Sequence, residues 1–285
     1  MDANLERQLV SASRSVEEAR RIAYHDPSRI GLLVEQISVL VDLRQKEGDF
    51  RKAESLYREA LFRAQELKKA DPDLLCGIHS LLAHLYDRWG HMDKAAEFYG
   101  KALKIADSGG LENNDKVATI KNNLAMIFKH LRDYKKAEMY YEEALETFRL
   151  HDGEQSARVA SVLNNLGVLY YTNMDVDRAQ QMHERALTIR QSLTNDQMDP
   201  SDLSQTYINL GAVYKASGDF RNSTAMRTSP MTRAQCSTSR RGSPPEVIQG
   251  ATGNALRRAC RPHAAARALG RTGSRDPSGS SGRSR

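Results

Sequence analysis

The chain has 285 residues, 40% hydrophobic and 27% charged, an ordinary soluble composition with enough length for a sizeable core. The formal net charge of +6 is unevenly spread: from Met226 onward there are 12 Arg, no Lys and 2 acids, whereas residues 1–225 hold 30 basic and 34 acidic residues. A mildly acidic body argues against nucleic-acid affinity, the absence of a long apolar run or signal region argues against a membrane span, and three cysteines (Cys76, Cys236, Cys260) without disulfide or metal spacing point to a reducing, cytoplasmic setting.

The first predicted element is a helix over residues 3–24, with Leu5, Leu9, Val16, Ala19, Ile22 and Ala23 at helical spacing and a stop at Asp26-Pro27. In a segment spanning 1–28 it is expected to cap the first of the repeated units that begin at residue 29; the competing reading is a docking helix for a partner or a second copy.

From residue 29 to 224 the same residues return every 42 positions. Ala53, Ala95, Ala137 and Ala179 keep that step, and so do Ala60, Ala102, Ala144 and Ala186, each with Leu as the next residue. Leu40, Leu82, Leu124 and Leu166 repeat likewise, and Leu210 comes after 44. A period of this size marks a solenoid, in which one supersecondary unit stacks on copies of itself. In the unit near residues 118–150, Ile120, Leu124, Ile127, Phe128 and Leu131 trace an amphipathic helix. Arg132-Asp133-Tyr134 interrupts it, and a second helix runs through Ala137, Tyr141, Ala144 and Leu145. The equivalent interruptions are Gly48-Asp49-Phe50, Gly90-His91-Met92, Met174-Asp175-Val176 and Gly218-Asp219-Phe220. Glycine there suits a left-handed helix end, and aspartate suits the cap of the next helix. Each unit is therefore a helix–turn–helix hairpin, with longer links such as 107–116 and 195–202.

The last segment, 225–285, is rich in Arg, Ser, Gly, Pro and Ala and has no periodicity. It lacks the apolar content to offset chain entropy and is expected to be disordered. The repeat pattern stops matching just after Ser223, and lysine vanishes while arginine persists. Out-of-frame reading of a GC-rich gene accounts for that combination best; a genuine disordered tail and an arginine-rich nucleic-acid arm are the alternatives.

The hairpin pattern resembles the tetratricopeptide repeat. Leu82/Ala83/Tyr86 with Ala95/Tyr99/Ala102, Leu124/Ala125/Phe128 with Ala137/Tyr141/Ala144, and Leu166/Gly167/Tyr170 with Ala179/His183/Ala186 carry the resemblance. The 42-residue period resembles the kinesin light chain subtype. The long heptad coiled coil by which kinesin light chains join their heavy chain has no counterpart, so motor association is left open. The resemblance implies an all-α, right-handed helical-hairpin solenoid of four full hairpins and a partial fifth. It also implies a non-enzymatic scaffold or adaptor that holds an extended peptide or partner segment on the concave face lined by the first helices. The alternative is a ligand-sensing regulatory segment of a larger signalling protein, here truncated.

Within that frame, the stripe beside the core-facing leucines contains Asn122, Asn123, Met126 and Lys129, then Asn164, Asn165 and Tyr171, then Asn209 and Lys215. An asparagine amide both donates and accepts, so a ladder of them can hold a peptide backbone without reading its sequence. The resemblance implies this role for the five asparagines, with Lys129 and Lys215 facing acidic ligand groups. The competing reading is that the asparagines tie neighbouring helices together. No catalytic motif, phosphate loop or metal-ligand spacing is present, His79, His84 and His91 being too irregularly placed, so neither cofactor nor metal is expected.

Overall fold

The computed structural model describes residues 3–67, 71–111, 115–194, 197 and 199–228. They form helices throughout: α1 (Ala3–His25), α2 (Ile30–Glu47), α3 (Phe50–Gln65), α4 (Pro72–Trp89), α5 (Met92–Ser108), α6 (Asp115–His130), α7 (Tyr134–Asp152), α8 (Ala157–Thr172), α9 (Val176–Ser192), α10 (Pro200–Ala216) and α11 (Phe220–Thr228). A short 3₁₀ turn, Pro27–Arg29, joins α1 to α2. The arginine-rich segment expected over 225–285 lies, from residue 229 on, outside the described residues; α11 itself runs to Thr228.

The helices pair as hairpins, α2/α3, α4/α5, α6/α7, α8/α9 and α10/α11, and each second helix packs on the next first helix. First helices also meet directly, α6 on α8 and α8 on α10. The alanines of the period explain the closeness: Ala53, Ala60, Ala95, Ala102, Ala137, Ala144, Ala179 and Ala186 are all fully buried. With no side chain beyond Cβ, they let backbones approach, and Tyr57, Tyr99 and Tyr141 fill the wedge beside them. In the fourth hairpin His183 takes the tyrosine position, and Gly167 sits where Ala83 and Ala125 sit in the earlier copies. A Cβ added to Gly167 would lie 2.7 Å from the His183 ring, so the smaller residue makes room for the turned imidazole.

Helix boundaries follow the capping chemistry. Asp49, Asp133 and Asp175 accept from the backbone N–H three residues on, at 3.1, 3.2 and 3.1 Å. Gly48, Gly90 and Gly218 take the left-handed conformation at the turn, with φ of 84°, 86° and 83°. Arg132 and Met174 adopt the same conformation without being glycine, at φ 63° and 66°. The link expected over 195–202 is shorter than that, because Asp199 caps α10 and Pro200 occupies its first turn. Asp71-Pro72 starts α4 in the same way.

α1 has the burial pattern of a second helix. Ala12, Val16, Ala19 and Ala23 are buried, in the spacing of Ala53, Tyr57, Ala60 and Ala64. It packs on α2, and Arg20 donates to Glu59 of α3 at 2.9 Å. No helix among the described residues is long and apolar enough to cross a membrane.

Candidate functional site

Four contacts align the first helices side by side. Lys116 pairs with Asp73 at 2.5 Å and Arg158 with Asp115 at 2.9 Å, near the helix starts. Farther along, Asn165 Nδ2 donates to Asn122 Oδ1 at 3.1 Å, and Asn209 Nδ2 donates to Asn164 Oδ1 at 3.1 Å. The partners are 43 residues apart in three cases and 45 in the fourth. Neighbouring first helices thus meet one residue out of step with the sequence period.

The five asparagines form two amide clusters, Asn122 with Asn123 and Asn165, and Asn164 with Asn209. Asn122 Nδ2 donates to Asn123 Oδ1 at 3.2 Å, and Asn123 in turn hydrogen-bonds the buried Tyr99 hydroxyl. Asn164 Oδ1 accepts from Asn209 and also faces His183 Nδ1 at 3.0 Å. Because that oxygen only accepts, Nδ1 of His183 carries the proton. Gln205 Nε2 donates to Asn209 Oδ1 at 2.9 Å. Depth separates the set: Asn164 and Asn209 are buried, while Asn122, Asn123 and Asn165 are half-buried. Among the described residues nothing donates to Asn165 Oδ1, which leaves it an acceptor at the surface of the stripe.

The other stripe residues differ in environment. Met126 is half-buried against the core, and Tyr171 is 39% exposed. Lys215 is exposed in the last turn of α10. Lys129 is half-buried in the last turn of α6, and partial burial holds its ammonium below the ordinary lysine range. Next to it in sequence stands His130, which senses Asp87 on α4, itself close to His84. Both imidazoles are solvent-accessible, yet loss of surrounding water is the main effect lowering both pKa values, with the Asp87 charge opposing it. Asp87 is shifted upward for the same reason, with His84 and His130 opposing.

The face between second helices and the next first helix is built for cohesion. Tyr86 Oη donates to Glu54 at 2.6 Å and Tyr170 Oη to Glu138 at 2.7 Å. In the intervening copy Phe128 has no hydroxyl and Ala96 no carboxylate, and in the last copy Gln180 stands at the Glu138 position and Tyr214 donates to Glu184 at 2.8 Å instead. Lys94, Lys136 and Arg178, 42 apart, stack on Tyr86, Phe128 and Tyr170 at 5.1, 5.1 and 5.3 Å. Arg190 occupies the position held by buried Phe148 one period earlier and is itself 3% exposed. It donates to the Asp202 carbonyl at 2.6 Å and to Ser161 Oγ at 3.2 Å. That residue, like the His183–Asn164 contact, was visible in the sequence only as a departure from the period. Cys76 is buried, and its thiol is pushed up to about 11 by burial, far from a thiolate nucleophile. Among the described residues no group of His, Cys, Asp and Glu is placed to hold a metal ion.

Comparison with known proteins agrees with this geometry. Tetratricopeptide repeat models match residues 77–108 and 116–192. The chain is similar to BtubC (BKLC) from P. vanneervenii, whose crystal structure aligns at 72% identity over 88% of this chain and 97% of that one, with a TM-score of 0.79. The chain belongs to the tetratricopeptide repeat family, with repeats of the kinesin light chain kind. A putative kinesin light chain from Podosopora anserina with nearly identical TPR-like repeats shares the fold, at 16% identity over 73% of this chain and 97% of that one, TM-score 0.59. A point variant of that protein aligns at 16% identity and TM-score 0.60 over 73% of this chain and 96% of that one. No curated protein sequence matches. Tetratricopeptide repeats are protein-interaction scaffolds, and that is the general function of this one.

Proposed function

We propose that this protein is a non-enzymatic adaptor that holds an extended peptide, or an extended segment of a partner protein, along its first helices. The residues assigned to contact are Asn122, Asn123, Met126, Lys129, Asn165, Tyr171 and Lys215. Asn164 and Asn209 belong to the same site from below, holding α8 and α10 at the spacing the ligand meets. The observation that carries the reading is the amide network itself. Its two clusters together bridge three first helices, and half-buried Asn165 keeps an unused acceptor for a backbone N–H. Lys129 adds a half-buried cation with no ion-pair partner among the described residues, suited to a ligand carboxylate.

The test is a pair of truncations, Asn123→Ala with Asn165→Ala, in protein whose helicity and melting are checked. Binding to peptides selected on the wild-type protein is expected to fall about tenfold, the scale of one or two net hydrogen bonds. Unchanged affinity in a folded variant refutes the assignment.

A further inference from the structure

Gln45, Asp87, Lys129, Tyr171 and Lys215 occupy one equivalent position in the five first helices. Read along the stack, that stripe changes sign. Asp87 lies on α4, with Asp42 on α2 close enough for its charge to act on His84. Lys129 lies on α6 and Lys215 on α10. None of the four makes an ion pair among the described residues. On the second helices several charges are matched locally, Lys52–Asp49, Arg58–Glu54, Lys101–Glu97 and Lys136–Asp133 at 2.5–2.9 Å, and ones unmatched among the described residues, such as Arg51, Lys104 and Lys135, are exposed. Asp87 and Lys129 stand apart because they are unmatched and half-buried.

Asp87 and Lys129 do not satisfy each other, and the stacking offset explains why. Contacts between first helices join residues 43 apart, as at 73–116, 115–158 and 122–165. By that offset Asp87 faces His130, whose charge it senses, and not Lys129. Both charges are half-buried and unpaired among the described residues, so each is poised to gain from an incoming opposite charge. A uniformly acidic segment would set a carboxylate against Asp87, and a uniformly basic one an ammonium against Lys129. Either arrangement is penalised.

We infer that the groove takes a segment of mixed charge, with a basic side chain seated at Asp87 and an acidic side chain seated at Lys129, one repeat apart. The inference rests on the peptide-groove reading and adds the charge order. α4 and α6 are bridged by the Lys116–Asp73 ion pair; a helix spacing of about 8–10 Å is taken for them, and an extended chain rises about 3.3 Å per residue. The two charges in the occupant are thus about two to four residues apart. Tyr171 and Lys215 extend the order with an aromatic contact and a second cation.

The experiment is selection of a random phage-displayed library of about twelve residues, long enough for the four steps of the stripe. It is run on the wild-type protein and on Asp87→Lys, Lys129→Glu and the double charge swap, each checked for wild-type helicity. Enriched peptides are expected to carry Lys or Arg about two to four residues from Asp or Glu. The basic preference disappears on Asp87→Lys and the acidic one on Lys129→Glu. Each single reversal weakens the best wild-type peptide about tenfold, and the double swap restores it to within about threefold by reversed seating. Enrichment of acidic or apolar peptides lacking a basic residue, on wild-type protein and with sensitivity to Asn123→Ala and Asn165→Ala, overturns the charge order and leaves the groove reading standing. Peptides insensitive to all these substitutions, or no enrichment over an unrelated protein, overturn both.

Discussion

Replacing Asn164 with alanine separates the structural and binding parts of the asparagine network. Asn164 is 7% exposed, and its Oδ1 accepts from His183 Nδ1 at 3.0 Å and from Asn209 Nδ2 at 3.1 Å. Both donors are themselves buried, His183 at 1% and Asn209 at 8% exposure. Truncation removes one acceptor and strands two donors where water does not reach. A buried polar group left without a partner costs about 1–3 kcal/mol, so the loss should be about 2–5 kcal/mol. Asn165→Ala is the control: its residue is half-buried and gives up one bond to Asn122, so a loss of about 1 kcal/mol or less is expected. Urea unfolding followed by helical circular dichroism measures both. A loss for Asn164→Ala no larger than that for Asn165→Ala would refute the view that Asn164 is the buried junction of the ladder.

The buried imidazole and the two non-glycine turns offer further tests. Burial, with the Arg190 charge adding to it, lowers the His183 pKa from 6.5 to about 3. The unfolded chain therefore takes up a proton below pH 6.5 that the folded chain refuses. This contribution is absent above pH 6.5; as pH falls from there towards 3, stability drops by up to about 1.4 kcal/mol per pH unit. His183→Tyr, the residue of the preceding copies, should remove that contribution to the slope, and an unchanged slope in urea titrations between roughly pH 7 and 4.5 would count against the assignment. Arg132→Gly and Met174→Gly place glycine where φ is 63° and 66°. Relief of the left-handed strain, about 1–2 kcal/mol, outweighs the extra chain entropy of glycine, about 0.5–1 kcal/mol. Each variant should gain about 0.5–1 kcal/mol in thermal or urea unfolding; destabilisation would show that these side chains make contacts worth more than the strain.

Much of the architecture was legible because it is local. A helix buries residues three and four apart, so Leu, Ala and Tyr at a 42-residue period announce hairpins that stack. Gly48, Asp49 and their equivalents mark the turns, since left-handed backbone and N-terminal capping need those residue types. The positions of Asn122, Asn123, Asn164, Asn165 and Asn209 on first helices were read in the same way. What each amide does was not readable, because it depends on how one hairpin settles on the next. The stacking shifts contacts to 43 and 45 residues, bringing Asn165 to Asn122 and Asn209 to Asn164. It also sets Asp87 opposite His130 while leaving Lys129 without an ion-pair partner among the described residues. Periodicity belongs to one helix at a time and is written in the sequence; register between helices, and the depth to which a polar group sinks, are settled only by the packed whole, where every donor competes for the acceptors within reach.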